Sequence, residues 1–346
     1  MLKTPAYAAL SPESPLAPFQ IKRREPGPHD VLIDIRYCGV CHSDIHQVRN
    51  EWGGSIYPMV PGHEISGVVA AAGDKVRKFK AGDPAGVGSM TGSCRKCEAC
   101  REGEEQFCEE GMILTYNGYE SDGKTPSYGG YSARITVNED YALKIPAGME
   151  LERAAPLMCA GITVYSPLRR FDAGPGMEVA VAGFGGLGHM AVKFALAMGA
   201  KVSVLSHTPG KRSDAQRLGA KTFIDTREGS FHKYVRRFDL IIDTIPVLHD
   251  YNAYLELLRR DGVMVVTGVP DSSPVSPDTL VMQRRSLAGT LVGGIRETQE
   301  MLDFCALHGL AADVEVIPPQ RINEAFERII ACDVRFRFSI DLSALK

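Results

Sequence analysis

The spacing of hydrophobic positions changes near residue 150. Before that point, short apolar runs such as Val31-Leu-Ile-Asp-Ile35 and Ile65-Ser-Gly-Val-Val69 are broken by glycine and proline. Runs of this kind predict short strands in a compact β-rich domain with loops. After about Leu151, apolar runs alternate with helical stretches. Glu178–Ala182, Val202–Leu205, Phe238–Asp243, Val263–Thr267 and Gly289–Val292 read as strands, with helices over Leu187–Met198 and Ser213–Leu218. That alternation predicts βαβ units and a parallel sheet. A further helix is expected over Arg296–Leu307 and a last strand over Phe336–Leu342. The tail is expected to return to the first domain, so the expected domains are 1–152 with 293–346, and 153–292.

Composition narrows the class. A length of 346 residues suits two domains. A net charge of −3 lacks the basic excess of a general nucleic-acid binder. Met1–Leu10 has no apolar core of the kind a signal peptide carries, and no apolar run approaches the ~18 residues of a membrane span. The expected location is cytoplasmic, with neither membrane nor nucleic acid as partner. In a reducing compartment, the nine cysteines serve more readily as metal ligands than as disulfides, and their odd number argues against a complete disulfide set.

Gly183-Phe-Gly-Gly-Leu-Gly188 follows a predicted strand and opens a predicted helix, the context a dinucleotide fingerprint requires. Gly183 allows the tight turn, Gly185 lets the backbone approach a pyrophosphate, and Gly188 permits close helix–strand packing. Gly186 and Leu187 would place the helix N-terminus against the phosphate charge. An ordinary strand–helix turn would use the same glycines. An NAD site usually carries a carboxylate about 20 residues into the motif. The chain instead reads Leu205-Ser-His-Thr-Pro-Gly-Lys-Arg212. Ser206 and His207 carry no negative charge, Ser206 can donate a hydrogen bond, and Lys211 or Arg212 can neutralise a 2′-phosphate. NADP(H) is therefore expected; the competing reading is a solvated basic helix start.

Cys94, Cys97, Cys100 and Cys108 lie within fifteen residues. Four thiolates so spaced suit one tetrahedral, structural zinc with no open position. An iron–sulfur cluster or a redox set is the alternative, and no second feature suggests electron transfer. Cys38, Cys305 and Cys332 read as lone cysteines. Cys41, His46, His63 and Cys159 are scattered, and composition alone does not join them.

A family resemblance does. Gly39-Val-Cys-His-Ser-Asp44, Pro61-Gly-His-Glu64, the four-cysteine lobe, Cys159-Ala-Gly-Ile-Thr-Val164 and Gly183–Gly188 stand in the order of the zinc-containing medium-chain alcohol dehydrogenases. Tyr57-Pro-Met-Val-Pro-Gly-His-Glu64, Pro156–Tyr165 and Gly293–Glu300 most resemble the cinnamyl alcohol dehydrogenase branch. The resemblance implies an α/β chain: a GroES-like β-rich catalytic domain, a Rossmann doubly wound parallel sheet, and an active site between them. It implies that Cys41, His63 and Cys159 bind the catalytic zinc, a Cys2His set for which alcohol dehydrogenase is the standing example. Glu64 resembles the glutamate that approaches the metal during ligand exchange. Ser43 and His46 resemble the family's proton relay, with a cap and a surface histidine as the alternative reading. Asp44 is expected to orient the zinc shell. His42 is expected at a cofactor phosphate, Thr163 near the nicotinamide, and Arg337 at the pyrophosphate. A solvated strand arginine is the competing reading of Arg337.

The implied reaction is interconversion of primary alcohols and aldehydes by hydride transfer with NADP(H), mainly as an aldehyde reductase, since cells keep that pool reduced. Trp52, the single tryptophan, is expected to wall the substrate pocket; with Tyr57 and Met59 it hints at aromatic or medium-chain aldehydes, and core packing is the alternative. Three departures from the family pattern stand out: Asp83-Pro-Ala85, His207 in the adenosine region, and His189 after the glycine motif. The competing functions are an NAD-dependent zinc polyol or threonine dehydrogenase, a metal-free quinone reductase, a conjugate C=C reductase and a non-enzymatic zinc-binding redox sensor. Cys159 disfavours the first, the cysteine lobe the second, and the Ser43–His46 pair the last two. A homodimer is expected, joined through an edge strand near Gly289–Val292.

Overall fold

The computed structural model describes residues 1–345 apart from 229 and 269–272. Two compact units emerge, residues 1–162 with 293–346, and residues 163–292. The first boundary falls ten residues later than the sequence pattern suggested, inside the helix Ala160–Arg170.

The first unit is built on a seven-stranded sheet whose central member is Asp30–Gly39. Val31, Ile33 and Ile35 alternate into the core of this strand and are at most 2% exposed. Ile65–Ala72 and Arg337–Asp341 run antiparallel to it. Their register decides what lies at the end of the sheet. Cys38 pairs with Ile65 and Gly39 with Ser339. Cys41, His63, Glu64 and Arg337 are therefore delivered to one place by three strands. Gly39 makes this approach possible: its N–H donates to the Glu64 carbonyl at 2.9 Å, and a Cβ at this position would overlap the Glu64 carboxylate.

The second unit holds six parallel strands in the spatial order Thr222–Asp225, Lys201–Ser206, Glu178–Ala182, Phe238–Asp243, Leu258–Val266, Ser286–Gly289. The order reverses between Glu178–Ala182 and Phe238–Asp243, which is the doubly wound arrangement. Val179, Ala180, Val181, Leu240, Ile241 and Ile242 are at most 1% exposed, as strands covered on both faces require.

The last strand of this sheet departs from the sequence pattern. It runs Ser286–Gly289, not Gly289–Val292. Arg285 is buried and donates to the carbonyls of Leu258, Thr279 and Glu256, which fixes Ser286 opposite Val263. Val292 has a φ of 37°, which no strand residue adopts. The strand Thr222–Asp225 and the N-terminal hairpin Leu2–Ala8 with Ala17–Arg23 were not foreseen.

Replacing Gly39 with alanine is expected to push Glu64 aside and cost about 1–3 kcal/mol of stability, the usual price of overpacking. Scanning calorimetry of the zinc-loaded protein checks this; an unchanged melting temperature would show that the strand has slack.

Candidate active site and metal centres

Helix His42–Val48 starts directly after Cys41. Asp44, in its first turn, is fully buried and turns back to accept the Cys41 N–H at 2.9 Å. The same carboxylate accepts the Gly62 N–H at 3.1 Å, the Tyr131 hydroxyl at 3.4 Å and His63 Nδ1 at 3.1 Å. Fixing the Nδ1 proton leaves Nε2 of His63 with a lone pair, the state in which histidine binds metal. That Nε2 lies 3.1 Å from Cys159 Sγ, and Cys159 Sγ lies 4.0 Å from Cys41 Sγ. Ligand atoms of Cys41, His63, Glu64 and Cys159 all lie within 4.8 Å of one another, and all four residues are buried. A tetrahedron with Zn–S bonds of about 2.3 Å has S–S edges near ~3.8 Å, so the donors fit zinc in both chemistry and spacing.

Glu64 is fully buried and paired with Arg337, whose Nε donates at 3.3 Å and whose second guanidinium N–H also reaches the carboxylate. Burial pushes the Glu64 carboxyl up to about 7 against the pull of Arg337. Arg337 is only 6% exposed, which overturns the solvated-strand reading. Its guanidinium, expected at the cofactor pyrophosphate, is committed to Glu64 in this structure.

Ser43 Oγ stands 3.6 Å from Cys41 Sγ. His46 lies three residues further along the helix, partly exposed, with Nδ1 bonded to the Glu51 carboxylate. His42 and Trp52 both stack on the His46 ring, at 4.8 and 4.7 Å between centroids. Trp52 is 47% exposed, so it is not a core residue. Met59, grouped with Trp52 on sequence grounds, is 2% exposed and belongs to the core, where its backbone pairs with Ala9. Tyr57 gives its hydroxyl to the Val48 carbonyl at 2.7 Å. Glu51, Tyr131 and Tyr116, whose ring stacks on His63 at 5.8 Å, were missed from sequence. Their roles depend on loop packing and leave no spacing signal.

The second cluster comprises Cys94, Cys97, Cys100 and Cys108, with ligand atoms again within 4.8 Å of one another. Cys94 Sγ and Cys100 Sγ are 3.8 Å apart. Backbone N–H groups of Cys97 and Cys94 point at Cys94 Sγ and Cys108 Sγ, at 3.3 and 3.4 Å, as suits sulfurs that carry charge. A cavity of ≈ 770 Å³ beside this lobe is lined by Phe79, Arg95, Tyr141 and Arg296 and contains none of Cys41, His63 or Cys159.

In the second unit, Gly183 adopts a φ of 83°, and a Cβ at Gly188 would overlap the Gly183 carbonyl. A Cβ at Gly185 would meet nothing within 4 Å, so the backbone there is open to a ligand. Gly186 and Leu187 open the helix Gly186–Ala197. Ser206 ends the next strand and accepts the Thr208 N–H at 3.2 Å; His207 beside it is exposed. Lys211 Nζ reaches the Phe184 carbonyl in the glycine turn at 3.0 Å. Arg212 leans away over Phe223, 4.8 Å from the ring centroid. Thr163, buried, lies four residues after Cys159 in helix Ala160–Arg170.

A buried Cys2His set held by a carboxylate, a four-cysteine lobe and a glycine turn on a doubly wound sheet together define a zinc dehydrogenase. Comparison with known proteins agrees. Residues 27–147 match the alcohol dehydrogenase GroES-like domain, and residues 186–306 match the zinc-binding dehydrogenase domain. The chain is 52% identical over 342 residues to the NADP-dependent alcohol dehydrogenase C of Mycobacterium bovis, covering 98% of this chain and 99% of that one. It is 49% identical over 344 residues to the aldehyde reductase YahK of Escherichia coli, covering 98% of both. The crystal structure of a cinnamyl alcohol dehydrogenase from Helicobacter pylori, complexed with NADP(H), superposes with a TM-score of 0.94 at 41% identity, over 100% of this chain and 99% of that one. The chain belongs to the zinc-containing medium-chain alcohol dehydrogenases, of the cinnamyl alcohol dehydrogenase type.

Asp44→Asn is expected to weaken zinc binding at the Cys41–His63–Cys159 site about 10–100-fold, the usual cost of removing such a supporting carboxylate, while sparing the cysteine lobe. Metal release to a chromogenic chelator should therefore show one fast and one slow equivalent. Equal release of both would sink the assignment of Asp44.

Proposed function

We propose that the chain reduces aromatic and medium-chain aldehydes to primary alcohols, and runs the reverse reaction, with NADP(H) as hydride carrier. The observation that carries this reading is the Cys41–His63–Cys159 set with Ser43 beside it. Zinc held by Cys41, His63 and Cys159 would supply a Lewis acid for the carbonyl oxygen, its charge balanced by two thiolates and a neutral imidazole. NADPH supplies the hydride.

The chain's own residues do the rest. Cys41, His63 and Cys159 hold the metal, Asp44 holds His63, and Glu64 waits on Arg337 as an alternative carboxylate ligand. Ser43 gives a proton to the developing alkoxide, and His46, tied to Glu51 and open to solvent, replenishes it. Stacking by His42 and Trp52 keeps the His46 ring in place, and the exposed face of Trp52 offers an apolar wall to substrate. Cys94, Cys97, Cys100 and Cys108 hold a second, structural zinc. Gly183–Gly188 takes the pyrophosphate. Ser206 and Lys211 take the 2′-phosphate, with Lys211 better placed than Arg212 because it already lies at the glycine turn. Thr163, His42 and Arg337 are assigned to the cofactor on family resemblance.

We further assign the chain to the cytoplasm and to a homodimer. Ser286–Gly289 is an edge strand, and Val281 and Met282 near it in sequence are 75% and 73% exposed. Such an edge is a template for pairing across a two-fold axis. Light scattering at micromolar concentration should give twice the chain mass; a monomer rejects the dimer.

The deciding assay is oxidation of NADPH and of NADH with cinnamaldehyde, before and after zinc removal. Zinc-dependent consumption of NADPH, with NADH much slower, is expected. Ser206→Asp should reverse the preference, because its carboxylate repels a 2′-phosphate and accepts ribose hydroxyls. Equal use of both cofactors by the unaltered enzyme would remove the NADP assignment and leave the dehydrogenase class standing. No consumption of either by zinc-loaded protein across a panel of aldehydes would favour a zinc-binding sensor.

A further inference from the structure

In the second unit, the strands Glu178–Ala182 and Phe238–Asp243 flank the point where strand order reverses. Open α/β sheets bind their ligands outside the carboxyl ends of such a pair. The glycine turn follows the first of these strands, and the segment that leaves Asp243 follows the second. Thr244 ties the two together: its hydroxyl donates to the carbonyls of Ala182 and Gly183, at 2.9 and 3.2 Å. The segment then runs outward through exposed Val247 and Leu248 and returns at His249.

His249 closes it. Nε2 lies 3.1 Å from Asp243 Oδ2, and Nδ1 lies 2.8 Å from the Val247 carbonyl. A carbonyl and an ionised carboxylate both accept, so the two contacts are made together only by a ring protonated on both nitrogens. Asp243 is fully buried and also accepts the Ile245 N–H at 3.1 Å. The rings of Tyr251 and Tyr254 pack edge-on against the imidazole at 4.9 and 5.2 Å. The groups that face His249 are thus Asp243 from its strand, the neighbouring Asp250, and two tyrosines held neutral by burial.

We propose that His249 is a positioning residue for the dinucleotide: its doubly bonded imidazolium locks residues 244–249 onto Asp243 and holds one wall of the nucleotide crevice in its binding form. The proposal rests on the reading of this unit as the NADP(H)-binding one. A neutral ring would turn a lone pair toward either the carbonyl or the carboxylate and release one end of the lock. Burial opposes the charge on His249, but Asp243, the Val247 carbonyl and Asp250 outweigh it, so its pKa is raised above the ordinary histidine value. The sign follows. The lock is complete at and below the ordinary histidine range and opens as pH rises through the raised value, so dinucleotide affinity falls on the alkaline side.

The test is a fluorescence titration of NADPH into the full-length, zinc-loaded enzyme from about pH 6.5 to about pH 9.5. The unaltered protein, His249→Gln and Asp243→Asn are compared; ionisation of NADPH itself is common to all three. Glutamine keeps a donor toward Asp243 but cannot titrate or reach Val247. The unaltered enzyme should lose about tenfold in affinity across the range, the scale of one charge-assisted hydrogen bond. His249→Gln should bind at the weaker level throughout, and Asp243→Asn should lose the same pH step. If His249→Gln binds NADPH as tightly as the unaltered enzyme at neutral pH, with the same profile, the proposal is overturned. If the unaltered enzyme binds NADPH at no pH, the cofactor reading falls first and this proposal with it.

Discussion

The first unit is organised around a carboxylate that must not be left alone. Asp44 has no exposure, and a buried, unpaired carboxylate costs several kcal/mol. Its oxygens are satisfied by Cys41, Gly62, His63 and Tyr131, which come from three separate segments. The start of helix His42–Val48, the turn before Ile65 and the loop carrying Tyr131 are therefore held in one arrangement by a common acceptor. The spacing of Cys41 and His63 is a consequence of that arrangement. His63 is aimed by Asp44, and Cys41 is fixed through its own N–H. Only Cys159 arrives independently, from the end of the short 3₁₀ turn Ala155–Met158.

Glu64 and Arg337 solve the same problem differently. Asp44 is satisfied by dipoles and an imidazole; Glu64 is satisfied by a full opposite charge. Register explains the difference. Cys38 opposite Ile65 and Gly39 opposite Ser339 leave Arg337 beside Glu64 at the sheet's end. An ion pair in this setting is a poor source of stability, since desolvation offsets most of the attraction. What it does supply is a carboxylate held beside Cys41, His63 and Cys159 with its charge answered by Arg337.

Much of this was legible in the sequence. The glycine turn between a buried strand and a helix announced itself, because each glycine answers a local backbone demand. The four-cysteine lobe was legible for the same reason: its ligands lie within one short loop. Asp44 and the Cys41–His63–Cys159 set were not readable from spacing, since residues 41 and 63 meet through sheet register and Cys159 arrives separately after the 3₁₀ turn Ala155–Met158. A family resemblance joined them. Met59 and Trp52 show the remaining limit. Both read as apolar neighbours of the same segment, yet the bridge to Ala9 draws Met59 inward while stacking on His46 leaves Trp52 outside. The edge strand failed similarly: the local pattern pointed to Gly289–Val292, and the buried Arg285 starts the strand at Ser286 instead.

The two units use the same pair of residues to opposite ends. In the first, Asp44 meets Nδ1 of His63 and leaves Nε2 facing Cys159, so the ring keeps a lone pair for a metal. In the second, Asp243 meets Nε2 of His249 while a backbone carbonyl occupies Nδ1, so no lone pair remains. An aspartate beside a histidine therefore does not define a function. The third group decides it: beside two cysteine sulfurs that could share a metal with it the ring has use for a lone pair, and beside a carbonyl it has use for a proton. That distinction separates a ring placed to share a metal with two sulfurs from one whose two nitrogens both face oxygen acceptors.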